Sequence, residues 1–215
     1  MVKKIQDGLY GFIWTDYRQN NCNTYLIDAG GRILVDPGHA HLFDNVDRSL
    51  ATLGIDLKSI DLVIVTHAHP DHMEAAEFFG TPTLRAVSET DLAYLKGLVG
   101  ERAGILEPDL FLQQGDLDAF GVHLEVIPTP GHTPGSISLY WPEKRALFTG
   151  DVVFAQGIGR TDLPGGNSRE LKESISLLES LSTDYLLPGH GPVVTGPSDV
   201  KRNFRQIREM WFPYL

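Results

Sequence analysis

Short apolar runs alternate with glycine- and proline-rich breaks, and two hydrophobic periods, near 2 and near 3.6 residues, divide the chain into strands and helices. "CNTYLIDAGGRILVDPG" reads as two short strands around Ala29-Gly30-Gly31, an early hairpin that closes on Asp36-Pro37-Gly38. Apolar positions at Leu42, Phe43, Val46, Leu50 and Leu53 have the spacing of an amphipathic helix, which Gly54 can end. "DLVIVT" predicts a buried strand. Pro70 then suits the first turn of a helix running through Glu74, Ala75 and Glu77 to Gly80.

Further along, "TPTLRAV" predicts a strand and "SETDLAYLKGLV" a helix, with Ser88 as N-cap and Asp91 at the capping-box position. In "GVHLEVIPTPGH" Val122, Leu124 and Val126 alternate with His123 and Glu125, the pattern of a half-buried strand. "SISLYWPEKRALFTGD" predicts a hairpin turning at Pro142 to Lys144. Ser168 is a candidate cap for a helix whose buried stripe is Leu171, Ile175, Leu178 and Leu181. The strand "DYLLPGHGPV" and a helix from Asp199 to about Trp211 follow. Strands in runs, with helices between and after them, predict two sheets covered by helices rather than a doubly wound parallel sheet. The length, 215 residues, fits one domain spanning 1–215.

Composition narrows the function classes. Lys and Arg number 18 against 28 Asp and Glu, and the resulting charge of −10 repels a polyphosphate backbone, so nucleic acid is not expected as a partner. No apolar stretch approaches the roughly 20 residues of a membrane span. Gln6, Asp7 and Gly8 interrupt the start before a signal-peptide core can form. The single Cys22 cannot form an internal disulfide, reads as a buried, apolar-like residue, and fits a reducing cytoplasm.

Candidate chemistry concentrates in "VIVTHAHPDHMEAA", where His67, His69, Asp71 and His72 fall within six positions after an apolar strand. Burying several ionisable groups together costs several kcal/mol unless something compensates them, and a divalent cation does so. Imidazole nitrogen and carboxylate oxygen suit Zn²⁺ and iron. His67 and His69, two apart in an extended loop, can reach one ion; Asp71 and His72, past Pro70, can face a second. Four donors do not complete two sites. His132 in "TPGHTPGS", Asp151 in "FTGD" and His190 in "LPGHGP" each follow a predicted strand and are flanked by Gly or Pro, so they are the remaining candidates. His39, His41 and His123 read as hydrogen-bonded structural residues.

The pattern His67-Ala68-His69-Pro70-Asp71-His72, followed in order by His132, Asp151 and His190, resembles the metallo-β-lactamase-fold hydrolases over nearly the whole chain. The resemblance implies an α/β (α+β) fold, an αββα sandwich of two mixed sheets with two divalent metals at their shared edge. It assigns His67, His69 and His132 to one metal, Asp71, His72 and His190 to the other, and Asp151 to a bridge. Zinc is the expected metal, with iron or a mixed pair as alternatives. Aspartate at the bridging position, where some true β-lactamases place cysteine, separates the chain from that subgroup.

The segment Gly157-Ile158-Gly159-Arg160-Thr161-Asp162 resembles the GRTD stretch of single-domain glyoxalase II-like proteins and persulfide dioxygenases, both of which act on glutathione-type thiol compounds. Arg160 is thus the candidate contact for a substrate carboxylate or thioester. Only 25 residues follow His190, short of the added helical domain with which glyoxalase II proper grips glutathione. The expected activity is binuclear hydrolysis of a small-molecule thioester such as S-lactoylglutathione, with a metal-bridging hydroxide as nucleophile. Asp71 doubles as the candidate proton acceptor when one metal is bound. Two other readings stand beside it. One is a mononuclear Fe(II) sulfur dioxygenase using His67, His132 and Asp151; the other is a non-catalytic metal-binding domain of an electron-transfer assembly. A TIM-barrel amidohydrolase also opens with HxH but needs regular βα alternation. A homodimer is compatible with the sequence.

Overall fold

The computed structural model describes residues 2–16, 18–100 and 106–215. One sheet holds β1 (Val2–Gln6), β2 (Leu9–Phe12), β3 (Thr24–Asp28), β4 (Arg32–Val35), β5 (Leu62–Ile64), β6 (Leu84–Ser88) and β7 (Leu110–Leu112), side by side in chain order. The other is built from β8 (Gly115–Ala119), β9 (Val122–Pro128), β10 (Ile137–Trp141), β11 (Ala146–Gly150), β12 (Tyr185–Pro188) and β13 (Val194–Thr195), ordered β13-β12-β11-β10-β9-β8. Both sheets are mixed. Antiparallel pairs join β1 to β4 in sequence, and parallel pairs continue through β5, β6 and β7. In the second sheet β11 and β12 are parallel and their neighbours antiparallel.

Period-2 alternation explains the layers. Ile27, Ile33, Val35, Leu62 and Ile64 point inward to meet Leu124, Leu139, Trp141 and Phe148 of the facing sheet. Their sequence neighbours Leu26, Leu34 and Val63 point outward and pack on Val46 and Leu50 of α1 (Asp44–Thr52) and Leu92 of α3 (Glu89–Val99). On the opposite outer face Leu147 and Leu186 are covered by Leu171, Ile175 and Leu178 of α4 (Ser168–Glu179) and by Phe204 and Ile207 of α5 (Pro197–Met210). Each such fully buried side chain contributes roughly 1.5–3 kcal/mol. The result is the αββα sandwich expected from the order of elements.

Local departures from expectation have identifiable causes. The segment after Pro70 is a single α-turn, α2 (Pro70–Met73), that tightens into a 3₁₀ turn over Glu74–Phe78 rather than one helix reaching Gly80. Backbone bonds from Gly38 N to His72 O and from Ala75 N to Gly38 O tie this turn to the Asp36-Pro37-Gly38 loop and set its path. Strand β6 begins at Leu84, after the Thr81-Pro82 turn, and α5 begins at Pro197 rather than Asp199. "DYLLPGHGPV" breaks at Gly189 into β12 and a loop, and β13 then folds back antiparallel. Strands β1, β2, β7 and β8 carry weak sequence signals: Lys3 and Lys4 interrupt β1, Gly11 interrupts β2, β7 spans three residues, and β8 alternates but buries none of its residues fully.

Two capping assignments are corrected. Asn167, not Ser168, caps α4: its side chain accepts from the backbone N–H groups of Arg169 and Glu170. Ser88 does cap α3, but the Asp91 carboxylate does not close a capping box; it accepts from Ala68 N at 2.5 Å and Gly135 N at 3.0 Å instead. Replacing a true N-cap by alanine costs about 1 kcal/mol. Asn167→Ala is therefore expected to lower stability by about that amount in urea unfolding, with Ser168→Ala within about 0.5 kcal/mol of wild type. The reverse ranking would refute the assignment.

Candidate metal centre

The seven sequence-picked donors converge from four loops at one edge of the sandwich. His67 and His69 follow β5 directly, and Asp71 and His72 lie on α2. His132 sits between β9 and β10, Asp151 just after β11, and His190 just after β12. Strand ends with sharp turns put them there. A Cβ on Gly189 would strike Asp151 Oδ1 and His72 Cε1, so only glycine lets the His190 loop approach this closely.

Two sets form, with Asp151 between them. In the first, His69 Nδ1 lies 3.1 Å from His67 Nε2 and 2.9 Å from His132 Nε2. In the second, His190 Nε2 is 3.2 Å from Asp71 Oδ2 and 3.4 Å from His72 Nε2. Asp151 Oδ1 is 3.2 Å from His72 Nε2, while Oδ2 is 3.3 Å from His190 Nε2 and 3.6 Å from His132 Nε2. Tetrahedral coordination at zinc-type bond lengths separates donors by about 3.3 Å. The spacing found here is of that size.

Hydrogen bonds at the far side of the rings fix which nitrogen faces inward. His132 Nδ1–H donates to the Arg160 carbonyl at 2.8 Å, and His72 Nδ1–H donates to Asp36 Oδ2 at 2.9 Å. His67 Nδ1 meets Thr66 Oγ1 at 3.2 Å, and that hydroxyl donates to Asp36 Oδ2 at 2.8 Å. In the neutral form of these rings each Nε2 keeps a lone pair aimed into the cluster. Lone pairs about 3 Å apart repel without a cation between them, and Asp151 Oδ1 is a buried carboxylate oxygen with no properly directed hydrogen bond. These donors fit divalent cations.

Electrostatics separate the two sets. Burial, reinforced by His72 and the neighbouring imidazoles, holds His67 well below its usual range, and burial with His132 lowers His69. Burial also opposes charge on Asp151 and His72, yet their mutual attraction outweighs it, keeping Asp151 low and His72 high. Burial is likewise overcome at His190, which Asp151 and Asp71 raise to about 9, and at Asp71, which His190 and His72 bring down to about 2.

Sequence reasoning did not identify the residues that hold the donors in place. Asp36, buried at the end of β4, adopts a left-handed φ of 54°, which aspartate tolerates better than most residues, and accepts from Thr66 N as well as from Thr66 Oγ1 and His72. "VDPG" was its only signal, and it reads equally as a turn. Asp91 joins the His67–His69 loop to the His132 loop through Ala68 N and Gly135 N. Asn23 donates to the carbonyls of Pro188 and Gly191 on either side of His190, and Asn20 donates to Asp71 Oδ2 at 2.8 Å. Cys22 is buried with its thiol pushed up by burial and the nearby Asp36, as expected of an apolar-like residue. His39 and His123 are paired with Glu74 and Asp118, outside the seven-donor cluster.

The cluster opens into a cavity of about 460 Å³ whose walls include Asn20, Phe154, Ile158, Arg160 and Leu163. Arg160 contributes in two ways. Its carbonyl anchors His132, and its exposed guanidinium makes a two-pronged pair with Asp162 at 2.9 and 2.7 Å.

The profile of the metallo-beta-lactamase superfamily matches residues 17–190, and the chain belongs to this family. It is 37% identical over 187 residues to the probable metallo-hydrolase MJ0888 of Methanocaldococcus jannaschii, covering 80% of this chain and 88% of that protein. It is 33% identical over 200 residues to the hydroxyacylglutathione hydrolase GloC of Haemophilus influenzae, covering 86% and 92%. The solved structure of TTHA1623 in a di-iron-bound form is 32% identical, with a TM-score of 0.67, covering 85% of this chain and 93% of that one. No helix among the described residues is long and apolar enough to cross a membrane.

The shifts make opposite demands on the metal-free fold. Groups held low, His67 and His69, lose stability for the fold as pH falls through the unfolded value of 6.5. Groups held high, His72 and His190, contribute fully below 6.5, and His190 loses its contribution as pH rises through about 9. The Tm of metal-free protein is therefore expected to peak near pH 6.5 and to decline toward about 5 and about 9. A monotonic rise across that range, read by scanning fluorimetry, would contradict this electrostatic arrangement.

Proposed function

We propose that the chain, acting as one domain over 1–215, is a metal-dependent thioesterase of the hydroxyacylglutathione hydrolase kind, working on a small-molecule thioester in the cytoplasm. The observation that carries this reading is the pair of three-donor sets, with Asp151 close to both, in the wall of a cavity that Arg160 also lines. The likeness to GloC over most of both chains supports the thioester class.

His67, His69 and His132 hold one divalent cation in this reading, Asp71, His72 and His190 hold the other, and Asp151 serves both. Zinc is the first choice for such nitrogen and oxygen donors, and iron or a mixed pair satisfies them too. Bound between these donors, two such cations would supply an acidified water near neutral pH and polarisation of the scissile carbonyl.

The protein's own residues do the rest. Asp36, directly and through Thr66, keeps His72 and His67 turned with Nε2 inward, so no rotamer search precedes each turnover. Asp71 is held ionised by His190 and oriented by the Asn20 amide; with one cation bound it is placed to take the proton of the attacking water. Phe154 and Ile158 line the cavity with apolar surface that limits water around the reacting carbonyl. The Arg160 fork is held by Asp162, and a substrate carboxylate competes with Asp162 for it.

Metal analysis of protein purified without chelator, combined with a thioester panel that includes S-lactoylglutathione, tests this. Two divalent ions per chain with thioester hydrolysis are expected, both lost in His67→Ala. An exposed ion pair is worth up to about 1 kcal/mol, so Arg160→Ala is expected to raise KM for an anionic thioester by about fivefold and for a neutral one hardly at all. One iron per chain with oxygen consumption on glutathione persulfide would replace the thioesterase by a sulfur dioxygenase.

A further inference from the structure

A second cleft, of about 200 Å³, opens on the other side of His69. Its walls are Tyr94, Leu95 and Leu98 of α3 on one side and Leu163 and Pro164 on the other, with Ala68 and Thr133 at the base. His69 and Leu163 border both this cleft and the metal-lined cavity, so the two spaces adjoin at the donor cluster. The polar groups at its base are already satisfied. Both Asp91 oxygens accept backbone N–H groups, from Ala68 and Gly135, and Thr133 Oγ1 is 2.6 Å from Ser136 Oγ. Apart from the Tyr94 hydroxyl, what remains for a ligand is mostly hydrocarbon.

The cleft is also built rather than incidental. Gly165, at a φ of 82°, lies against the Tyr94 ring, where a Cβ would collide, so the loop carrying Leu163 and Pro164 is seated directly on α3. The Asp91 bridge fixes α3 to the two histidine loops, which sets the distance from the cleft to the donors. Leu98 is 54% exposed, so its side chain can be changed without disturbing the core.

The two adjoining spaces thus differ in chemistry. The metal-lined cavity offers charge and hydrogen bonds from Arg160 and Asn20 beside the apolar Phe154 and Ile158, whereas the α3 cleft is almost wholly apolar. A thioester whose carbonyl sits at the donors has two arms, and this asymmetry sorts them. We propose that the α3 cleft seats the acyl arm, and that the substrate is a thioester whose acyl group carries an apolar chain. The inference rests on the thioesterase reading and names the substrate class for it.

The test varies each arm separately in the metal-loaded protein. kcat/KM is measured for acetyl, butyryl and hexanoyl esters of glutathione, and for hexanoyl esters of glutathione and of a plain alkyl thiol. Binding of hexanoate and acetate is measured by calorimetry, independently of turnover. Hexanoyl is expected to exceed acetyl by at least about tenfold, since each methylene in an apolar pocket discriminates by about tenfold or more. Leu98→Asp, at an exposed position that tolerates charge, is expected to lower the hexanoyl-to-acetyl ratio about tenfold, and the milder Leu98→Ser to lower it in the same direction. Hexanoate is expected to bind more tightly than acetate, with the difference lost in Leu98→Asp. Equal rates for acetyl and hexanoyl, or selectivity that follows the thiol and not the acyl group, would overturn the proposal. If no thioester is cleaved, the thioesterase reading falls. A retained preference for hexanoate would then still support the cleft as the seat of an apolar chain, and equal binding of the two acids would overturn it.

Discussion

Lone pairs that face one another across about 3 Å are the constraint on which this structure turns. His67 Nε2, His69 Nδ1 and His132 Nε2 converge on one point, and His72, His190 and the two carboxylates converge on the next. Such convergence is unfavourable in itself, and two devices are available to relieve it: protons or cations. The pattern of shifts shows how protons would do it, with imidazoles of the first set driven neutral and those of the second driven charged beside Asp151. Cations would relieve both sets at once, and would also satisfy the Asp151 oxygen that accepts no directed hydrogen bond.

The sandwich around the cluster supplies rigidity. Strand ends deliver the donors, while Asp36 and Asp91, both buried, hold backbone and ring N–H groups of the surrounding loops. Removing a residue that orients a metal-binding histidine typically weakens metal affinity 10- to 100-fold, so such carboxylates matter nearly as much as the donors themselves. Asp91 also places α3, and through it one wall of the apolar cleft. The geometry at the donors and the shape of the neighbouring apolar cleft therefore share a support.

Much of this was legible in the sequence, for a physical reason. The seven donors announce themselves because ionisable side chains after apolar strands are rare and, in "HAHPDH", crowded. The layered fold follows from period-2 alternation in β3, β4 and β9 and from the clear apolar stripes of α1 and α4. The supporting carboxylates were hidden because local sequence offers a competing explanation for each. Asp36 looks like a turn residue before Pro37, and Asp91 like a helix-capping residue three positions after Ser88. Their real partners lie 30 residues or more away for Asp36 and 23 and 44 away for Asp91, a separation that no local pattern encodes. Arg160 was legible as a member of the cavity wall, while the anchoring of His132 by its carbonyl was not, since any residue has a carbonyl.

The central claim is that the convergent donors form two adjacent cation sites. Anomalous diffraction from metal-loaded crystals tests it most directly. Two peaks about 3.5–4 Å apart are expected, one among His67, His69 and His132 and one among Asp71, His72 and His190, with Asp151 between them. A single peak, or peaks away from these side chains at full metal loading, would contradict it.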